Sequence, residues 1–563
     1  MSLAIDILLI LLPFLIASIL LVKFKWKADT TGTLIFVLFL VLSIFYFKTN
    51  WKIAFLTSIA GLAKSFPISL MVLTSILMMT YMEKTGALAK VVVSFKKIGG
   101  GNKAFQIMII NLSFGTFLVS IGATPVTMLP PVLAAMGYSA FAAVALPSIG
   151  YDPLCTYALL AVPAVFFAEF MNIPLTESGL AFSYYMPLVS LGIALGMLYL
   201  AGGKDLLFSK DGFIFGIVGG LTTGGSAILS NYFGIVKLTG VVSGLITAVV
   251  LVILALIKKV KIIDNSIITE EEKKIDQSMS LVKAMFPWIL LILFVALVNF
   301  IPFLADLFHN QLPFTFRIGE IVISTRFLEQ AYFWVLVATI LSIPILGWKK
   351  EQLLQTTKKW IKRSYRPVYA AAIYFSVAFL MIYSGYIFQN NSWYKIAENN
   401  IIYILATTSA KAFGKFYPLI VPFIGLLGGF VSGSETSSIA MFTLLHKTAS
   451  EQIGLIAIAV GTANGVGGGL ASVLSPAKIQ NAAAVIDEVG IEGEVIKKSA
   501  PIALLMTLSV ATLSLCWANS YIWWKWIIAF SIYSLIIVFS FLLIFYKERL
   551  KSLLFTKKNR QRK

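Results

Sequence analysis

The stretch 428–438 combines one acid with five hydroxyls on a glycine-rich backbone, and it lies inside hydrophobic sequence. Apolar residues interrupted by Pro422 and Gly425 precede it, and apolar sequence resumes at Ile439. Lipid cannot satisfy the backbone polar groups of such a segment, so it is tolerated at membrane depth only where it is buried in protein or lines a water-filled cavity. A carboxylate in that setting is a functional-site hypothesis by default. The stretch is therefore predicted to bind a substrate or an ion.

The sequence around this stretch is that of a membrane protein. Of its 563 residues, 59% are hydrophobic and 12% are charged, and the mean hydropathy of +0.90 indicates an all-α polytopic membrane protein. A spanning helix needs about 20 apolar residues. Because the first apolar run carries Asp6, follows no basic segment and precedes many others, it is interpreted as a retained helix rather than a signal peptide. Spans are predicted at residues 3–22, 33–47, 68–82, 182–201, 236–257, 288–307, 331–346, 368–388, 502–518 and 526–545.

The formal net charge of +20 arises from basic clusters in the connections between apolar runs. The positive-inside rule assigns these clusters to the cytoplasm and the N-terminus to the outside. Membrane topology thus accounts for the net positive charge. The expected partners therefore include membrane lipid but no nucleic acid. The clusters lie at residues 23–27, 84–103, 258–274, 349–366 and 547–563, whereas residues 303–311 and 389–400 carry few positive charges.

A run of mixed charge at residues 258–274 divides the chain near its middle. We interpret it as part of a cytoplasmic linker between two halves, with an ordinary solvated loop as its expected structure. The protein is expected in the cell membrane as a multi-pass chain with a cytoplasmic C-terminus. The predicted units are an N-terminal transmembrane half, the linker, a C-terminal transmembrane half and a basic cytoplasmic tail, at residues 1–257, 258–283, 284–546 and 547–563.

Two stretches, one in each half, show the same order of events. Each has a glycine-led polar break, a short apolar segment, a loop, an apolar helix, a second polar break and a short helix closed by Pro-Ala. The second breaks are expected at residues 150–153 and 462–469. Each half is thus predicted to hold a re-entrant hairpin and a discontinuous helix. The units are 115–164 and 428–477, and the distance from first glycine to closing proline is 48 positions in each, from 115 to 163 and from 428 to 476.

The connections before the two units differ in charge. The first unit follows the basic segment 84–103 and the second follows the charge-poor segment 389–400, so the units are predicted to enter from opposite sides. Paired broken helices at corresponding positions point to a transporter site between inverted repeats. The predicted fold therefore has two inverted repeats with re-entrant hairpins and discontinuous helices. The alternative is that Gly and Pro only kink helices that neighbours then accommodate.

Several linked motifs resemble those of the L-lactate permease family. The C-terminal signature of that family is similar, in order and spacing, to Ser432-Gly-Ser-Glu-Thr-Ser-Ser438, Ala449-Ser-Glu-Gln-Ile-Gly454, Ala463-Asn-Gly-Val-Gly-Gly-Gly469 and Leu474-Ser-Pro-Ala477. The first signature resembles Phe114-Gly-Thr-Phe-Leu118, Ala123-Thr-Pro-Val126 and the stretch from Asp152 to Pro163. The segment before the second signature resembles Arg366-Pro-Val-Tyr369 and Tyr383-Ser-Gly385.

The resemblance implies a secondary transporter, not an enzyme, that moves a small 2-hydroxy monocarboxylate such as lactate or glycolate together with a proton. It also implies membership of the ion-transporter superfamily, in which inverted repeats with hairpins build a scaffold and a transport region. A sodium-coupled organic-anion carrier of the same superfamily is the nearer alternative. An ion channel is the other, because glycine-rich re-entrant loops also build selectivity filters.

A small carboxylate in a low-dielectric site needs N–H donors and hydroxyls, and the N-termini of half-helices supply both. The two hairpin tips and the second discontinuous helix are predicted to provide them. For any single hydroxyl, hydrogen bonding between helices is the alternative role. The predicted substrate-binding residues are Gly122, Ala123 and Thr124 at the first tip, Ser432, Gly433, Ser434, Thr436 and Ser437 at the second, and Thr462 and Asn464 on the discontinuous helix.

Glu435 and Asp152 are the acids predicted to couple transport to protons, because a buried carboxyl group reached by water can exchange protons near neutral pH. Asp152 has an alternative role as the cap of a helix beginning at Pro153. Lys478 also has two open roles, pairing with a substrate carboxylate or reaching toward lipid headgroups.

No cofactor or metal is expected. The two histidines, His309 and His446, lie in unrelated settings, which argues against a haem or metal site. The chain has no Walker lysine motif that would indicate ATP-driven transport. Cys155 and Cys516 imply no disulfide framework. The oligomeric state is left open, a homo-oligomer included.

Overall fold

The computed structural model describes residues 3–98, 102–123, 125–150, 153–347, 350–488 and 490–520, with six further positions between 522 and 531. Thr124, Asp152, most of the predicted span 526–545 and all of the tail 547–563 lie outside them. In chain order, the α-helices of the first half are α1 (Leu3–Val22), α2 (Ala28–Val41), α3 (Trp51–Lys64), α4 (Phe66–Lys84), α5 (Ala87–Lys96), α6 (Lys103–Ile107), α7 (Gly115–Ser120), α8 (Pro125–Ala135), α9 (Ala140–Ile149), α10 (Ala158–Met171), α11 (Leu175–Ser183), α12 (Met186–Leu207), α13 (Lys210–Tyr232) and α14 (Thr239–Ile257).

The linker contributes one helix and the second half eleven more within the described ranges. They are α15 (Glu270–Ser278), α16 (Leu281–Phe300), α17 (Pro302–Asp306), α18 (Ala331–Leu341), α19 (Ile343–Leu346), α20 (Lys350–Ile382), α21 (Ile401–Phe413), α22 (Val421–Ser432), α23 (Glu435–Ile453), α24 (Ala457–Leu470), α25 (Pro476–Ala484) and α26 (Glu492–Ala518). A π-helical stretch, Met108–Phe114, joins α6 to α7.

Eleven helical stretches in the described part of the chain are long and apolar enough to cross a membrane, judged by length and composition. The predicted class, an all-α polytopic membrane protein, is confirmed. The predicted span 3–22 coincides with α1. The predicted span 368–388 is too long, because α20 ends at Ile382 and the chain turns at Gly385, whose φ is +71°.

Helix α13 was not predicted, because its glycines interrupt the apolar run on which the prediction depended. These glycines serve close packing instead. A Cβ added at Gly224 would lie 2.3 Å from the Cα of Pro187, and one added at Gly220 would lie 2.6 Å from the Cα of Leu191. Small residues of this kind let helix backbones approach each other in a membrane, and α13 packs along α12.

The two ends of α20 define two faces of the molecule. Near its N-terminal end, Lys359 forms an ion pair with Glu83 at the end of α4. Beyond its other end, Asn400 Nδ2 donates to the Ile382 carbonyl oxygen at 2.8 Å. Helix α5 continues from the first of these faces into the first hairpin unit, and α21 continues from the second face into the second hairpin unit. The two units therefore begin at opposite ends of α20.

Two short antiparallel β-hairpins, which the sequence did not predict, lie on the face where α20 ends. The main-chain N–H of Trp393 donates to Glu320 Oε1 at 2.6 Å, which fastens the turn of one hairpin to the other. Ile321 and Ile323 of the first hairpin pack on Ala63 of α3. The strands are β1 (Phe314–Ile318) paired with β2 (Ile321–Thr325), and β3 (Tyr386–Gln389) paired with β4 (Ser392–Lys395).

The linker contains a docked helix where the sequence predicted a loop. Acids of α15 pair with lysines on and just after α5: Lys90 and Lys97 each lie 2.6 Å from a carboxylate oxygen of Asp276, and Lys96 lies 2.8 Å from Glu272. Lys90 and Lys96 are only 7% and 3% exposed. The linker is thus fixed to the helix that leads into the first hairpin.

Both repeat units contain a helical hairpin whose turn is formed by a glycine. The turn between α7 and α8 holds Gly122 at φ +86°, and the turn between α22 and α23 holds Gly433 at φ +71°. A positive φ is energetically unfavourable for residues that carry a Cβ atom, but glycine adopts it without this penalty. The predicted interruption of residues 115–135 is therefore present.

The first predicted break is present, since the described residues Gly150 and Pro153 of the stretch 150–153 lie outside the helices, but the second predicted break is wrong. In the first unit, α9 ends at Ile149, and the chain resumes regular helix only after the left-handed residues Leu159, Leu160 and Ala161 inside α10. In the second unit, the run 462–469 is helical within α24, and the break follows it as the short 3₁₀ segment Ala471–Leu474.

The glycines expected to break α24 instead pack it against α22. A Cβ added at Gly467 would lie 2.0 Å from the Pro422 carbonyl oxygen, and one added at Gly429 would lie 2.2 Å from the Gly468 carbonyl oxygen. Glycine weakens an isolated helix by about 1 kcal/mol per residue, but here it permits backbone-to-backbone contact with a neighbour. Tertiary packing therefore overrides the local propensity.

The two repeat units contact each other through exchanged elements. The first break, around the 3₁₀ segment Cys155–Tyr157, packs against α24, and the second break, Ala471–Leu474, packs against α9. In the same manner α10 packs against α23, and α25 packs against α8. Each contact thus has a counterpart in which the roles of the two units are reversed.

Candidate functional site

The second hairpin tip is held together by the hydroxyls of its own serines. Ser432 Oγ donates to the Gly428 carbonyl oxygen at 2.7 Å and accepts the N–H of Ser434 at 3.2 Å. Ser434 is the N-cap of α23, and its Oγ accepts the N–H of Ser437 at 3.3 Å. Two of the predicted substrate ligands, Ser432 and Ser434, therefore use these bonds to brace the turn around Gly433.

Glu435 begins α23 and faces the first repeat unit. Its side chain is buried, with 5% of the residue exposed. Thr156 Oγ1 donates to Glu435 Oε1 at 2.6 Å, a short charge-assisted bond across 279 positions of sequence. Among the described residues, Oε2 has no hydrogen-bond partner. One oxygen is thus fixed by the first break, and the other can accept a proton or a ligand.

Gly469 and Cys155 form the wall beside the second oxygen. A Cβ added at Gly469 would lie 2.8 Å from Glu435 Oε2 and 3.1 Å from the Cβ of Cys155. The thiol of Cys155 also interacts with the Glu435 carboxylate. The end of α24, the first break and the second hairpin tip therefore converge on a single carboxylate.

Lys478, in the first turn of α25, adds a positive charge to this centre. Its Nζ donates to Ser472 Oγ at 2.7 Å, so the side chain turns back toward the second break. Its charge also interacts electrostatically with Glu435. Both roles that the sequence left open for Lys478, pairing with a substrate carboxylate and reaching toward lipid headgroups, stay predictions.

The described residues of the first hairpin tip, Gly122 and Ala123, pack within the first half of the chain. A Cβ added at Gly122 would lie 2.5 Å from Ser75 Oγ on α4 and 3.3 Å from the side chain of Leu159. Ala123 is 3% exposed, and Thr124 lies outside the described residues. The two tips are thus linked by the segment 155–159, whose Thr156 contacts Glu435 and whose Leu159 contacts the first tip.

The predicted ligands on α24 have structural partners. Thr462 Oγ1 donates to the Ile458 carbonyl oxygen at 2.6 Å, within its own helix. Asn464 Oδ1 lies 3.0 Å from His446 Nε2, and His446 Nδ1 lies 2.7 Å from the Tyr417 hydroxyl, all of them buried. Thr462 thus bonds within α24, whereas Asn464 makes a hydrogen bond between α24 and α23, the alternative role foreseen for such groups; substrate binding by these two residues stays a prediction.

Two further predicted ligands lie beside Glu435. Thr436 is 4% exposed and Ser437 is fully buried. Ser437 Oγ has no hydrogen-bond partner in the described part of the chain. A buried polar atom without a partner is costly unless water or a ligand satisfies it, and among the described residues of this tip Ser437 Oγ and Glu435 Oε2 are the side-chain atoms in that situation.

A metal centre is not supported by the side chains present. Within the described residues, no group of three His, Cys, Asp or Glu side chains could hold a metal ion. Asp152, the second predicted acid, lies outside those residues, but its chain neighbours Pro153 and Leu154 lead directly into the break that holds Thr156.

Sequence reasoning missed four residues of this centre, Cys155, Thr156, Gly469 and Ser472. Gly469 is the last residue of the second predicted break, and the other three lie two or three positions after a predicted break, which was the signal available in the sequence. Their roles depend on which break faces which tip, and no local pattern encodes this.

The fold and the site define an all-α polytopic membrane protein in which a buried carboxylate lies between two hairpin units. The chain belongs to the L-lactate permease family, because the model of that family matches residues 6–519.

Two relatives illustrate the range of similarity. Over 189 residues the chain is 30% identical to the L-lactate permease of Salmonella typhi, a match that covers 34% of this chain and 31% of that protein. The glycolate permease GlcA of Escherichia coli (strain K12) is 22% identical over 557 residues, or 91% of this chain and 96% of that protein. Both relatives, like the family, are named as permeases, which are transport proteins rather than enzymes.

Among solved structures, MtrF of Neisseria gonorrhoeae, described within a class of antimetabolite efflux pumps, aligns over 88% of this chain and 95% of its own. The TM-score is 0.41 and the identity 15%, so this likeness carries no further argument.

Proposed function

We propose that the chain is a secondary active transporter that moves a small 2-hydroxy monocarboxylate, of the lactate or glycolate type, in symport with a proton. The observation that carries this proposal is the buried Glu435, with one oxygen bonded to Thr156 and the other open to a ligand. Burying an ionisable side chain in the membrane region costs free energy, so such a residue marks a candidate site for transport. The names of the family and of the two permeases support the class of substrate.

The substrate would bind at the second hairpin tip, between α23 and the first break. The first turn of a helix leaves N–H groups without helical partners, and at α23 these belong to Glu435 and Thr436. Together with Ser437 Oγ they offer neutral donors to a carboxylate and a 2-hydroxyl. Oε2 of Glu435 would hold the transported proton, and Gly469, which has no side chain, lets the carboxylate lie close to α24.

Alternating access would arise from the two repeat units moving relative to the rest of the protein. Their opposite directions of entry and their exchanged contacts support an inverted relation, the arrangement in which a fixed midplane site is exposed to each side in turn. On one face, Lys97, Lys258 and Lys359 of the basic segments form ion pairs with Asp276, Asp211 and Glu83, respectively. By the positive-inside rule we assign that face, and the C-terminus, to the cytoplasm.

A monoanion fits this centre better than a di- or tricarboxylate. Only one cationic side chain, Lys478, is seen near Glu435 among the described residues. Each additional substrate charge buried in a low-dielectric site would need its own compensating cation. We therefore expect lactate, glycolate or acetate to be transported faster than succinate or citrate.

The test is uptake by purified protein in liposomes. Labelled L-lactate, glycolate, acetate, succinate and citrate are offered with and without an inwardly directed proton gradient, at equal sodium on both sides and again with choline replacing sodium. Saturable, uphill lactate or glycolate uptake that follows the proton gradient and persists in choline supports the proposal. Uptake that requires sodium favours the organic-anion carrier, and non-saturable flux that never exceeds equilibrium favours a channel. Faster citrate or succinate uptake contradicts the predicted substrate class.

A further inference from the structure

We propose that Lys64, in a cavity beneath the β1–β2 hairpin, is the site where the transported monocarboxylate first binds on the face at which α20 ends. This inference rests on the proposed function and adds an access site, with a selectivity of its own, to the site at Glu435. Three features carry it: the charges that line the cavity, the helices that connect it to Glu435, and an ion pair that an anion can replace.

The cavity has a volume of about 270 Å³ and lies where α3, α20 and β2 meet α10 and α23. Three charged side chains line it: Lys64, Glu169 and Glu320. Charged groups in a membrane protein face the protein interior or a water-filled cavity rather than lipid, so we expect water in this space. Its other walls are apolar or aromatic, and include Phe379 and Tyr383. Such a lining suits a small organic anion, whose carboxylate and hydrocarbon parts need a cation and an apolar wall.

Three helices run from the second hairpin tip to this cavity. Helix α23 begins at Glu435 and lines the cavity at Leu444, nine residues (435 to 444) or about 14 Å further along the helix. Helix α20 contacts the tip through Tyr374, whose hydroxyl donates to the Val431 carbonyl oxygen at 2.9 Å, and lines the cavity further on. Helix α10 follows the first break, which contacts Glu435, and lines the cavity near its end. A route between cavity and site therefore follows the boundary between α20 and the repeat units.

Two aromatic rings close this route in the structure. Phe166 of α10 and Phe375 of α20 meet edge to face, with ring centroids 5.0 Å apart, and both side chains are buried. Phe166 also lines the cavity, whereas Phe375 directly follows Tyr374, which contacts the tip. The ring pair thus separates the cavity from Glu435, and α10 must move away from α20 before an anion can pass.

The ion pair in the cavity is one that a substrate carboxylate can replace. Lys64 Nζ, at the end of α3, donates to Glu169 Oε1 on α10, and the two side chains are 20% and 47% exposed. An ion pair that is partly open to water is weak, because water solvates both charges. A carboxylate can therefore take the place of Glu169 on Lys64. Since this exchange also releases α10 from α3, the bound anion favours the movement that opens the route.

Glu320 restricts the cavity to monoanions. It is exposed, and its Oε1 is fixed by the main-chain N–H of Trp393 at 2.6 Å. Once a substrate has displaced Glu169, two acids and the substrate share one lysine. The second carboxylate of a dianion would meet these negative charges without a cation of its own. A monoanion is held weakly, as an access site that must release it inward requires.

The experiment detects occupancy of the cavity by protection of a thiol. Val322 lines the cavity on β2 and is 46% exposed, so Val322→Cys places a thiol there without changing a charge. Ser324→Cys, at an exposed position of the same strand outside the cavity, is the matched control. Both are labelled in proteoliposomes with a membrane-impermeant maleimide, at equal ionic strength, in chloride, L-lactate, glycolate or succinate. Wild-type protein, whose Cys155 and Cys516 are buried, gives the background.

Lactate and glycolate are expected to slow the labelling of Val322→Cys, whereas succinate should do so far less, and Ser324→Cys should react alike in all four salts. Adding Lys64→Gln should abolish the protection, and Lys64→Arg should keep it. Glu169→Gln, which removes the competing acid, should lower the lactate concentration for half protection about fivefold. In uptake, Lys64→Gln should raise KM by about fivefold with little change in maximal rate, because Glu435 is untouched.

The outcomes separate the access site from the function on which it rests. Wild-type protein without saturable monocarboxylate uptake overturns both. Normal uptake without protection of Val322→Cys, equal protection of Ser324→Cys, or protection that persists in Lys64→Gln overturns the access site alone. If Lys64→Gln does not fold, Glu169→Gln still decides the matter, because an unchanged lactate concentration for half protection is incompatible with exchange on Lys64.

Discussion

The two hairpin units repeat the same order of elements but differ in chemistry. The second tip, around Gly433, carries the acid Glu435 and five hydroxyls within three positions of it, whereas the described part of the first tip, around Gly122, carries no acid and lies against Ser75 and Leu159. The first unit contributes through its break, where Thr156 Oγ1 donates a hydrogen bond to Glu435. The two units therefore contribute differently to the same site: the second unit provides the ionisable side chain, and the first unit provides residues that pack against it.

The largest expected effect comes from removing the charge of the second tip. Glu435→Gln keeps the size of the side chain and much of its hydrogen bonding but cannot release a proton. Proton-driven uphill accumulation in liposomes should be lost, while exchange of internal for external substrate should partly survive. Glu451→Gln, an exposed acid on the same helix, is the control and should accumulate substrate normally. Normal accumulation by Glu435→Gln would exclude the coupling role and move it to Asp152.

A smaller effect is expected from filling the space beside the same carboxylate. In Gly469→Ala the new methyl would lie 2.8 Å from Glu435 Oε2, so the carboxylate must move. We expect uptake to fall about tenfold, the equivalent of about 1.4 kcal/mol, with little loss of thermal stability, because alanine favours a helix more than glycine. Gly493→Ala, which meets nothing within 4 Å, is the control. Equal uptake by both variants would show that the wall of the site lies elsewhere.

The contribution of the first unit is tested by Thr156→Val, which removes the hydroxyl and keeps the shape. Loss of one hydrogen bond to a charged group should reduce uptake by about three- to tenfold, while Thr156→Ser, which restores the hydroxyl, should recover most of the activity. Labelled uptake at matched protein density measures both. If the Thr156→Val variant transported as well as the Thr156→Ser variant, the hydroxyl of the first break would not contribute to the site. The proposed difference between the two units would then be wrong.

The smallest effect is expected far from the site, at the linker that fastens the first unit. Hydrogen bonds from Lys90 and Lys97 lower the pKa of Asp276 below its ordinary value. A carboxyl group with a lowered pKa stabilises the fold above its unfolded pKa of about 3.9, and this contribution is lost as the pH falls through the folded value. Asp276→Asn should therefore cost about 1 to 2 kcal/mol near pH 7.

Thermal unfolding of the purified protein between about pH 7 and pH 3 measures this contribution. The difference between wild type and Asp276→Asn should shrink as the acid limit is approached. Glu271→Gln, at an exposed acid of the same helix, should change little. A difference that stays constant down to the acid limit would mean that the ion pairs do not hold the linker.

Much of the fold could be predicted from the sequence, because lipid imposes a simple rule on apolar length. Span 3–22 matched α1, and the glycine at each hairpin tip was recognisable because a tight turn inside the membrane needs a residue that tolerates positive φ. The glycine-rich run 462–469 was assigned wrongly as a break, since glycine signals both an interruption and a close contact. Only the packing of the α22 backbone against this run shows that its glycines serve close contact and do not interrupt the helix.

The candidate site was predictable in part. Glu435 was identifiable from its chemistry in an apolar context, and it is the centre on which the structure converges. The roles of the individual hydroxyls could not be predicted. A sequence does not distinguish a serine that caps a helix, such as Ser434, from one whose hydroxyl has no hydrogen-bond partner in the described part of the chain, such as Ser437. The partner of Asn464 was not predictable either, because His446 lies 18 positions away on a different helix.

By itself the sequence determined the membrane class, the order of the two hairpin units and the acid at the second tip, because apolar length, turn glycines and a buried charge are local properties. Tertiary structure alone decided that Thr156 contacts Glu435, that Lys478 turns toward Ser472 and that the linker docks on α5. These contacts depend on which break meets which tip when helices distant in sequence cross. That crossing is fixed by packing between small residues rather than by any residue's own preference.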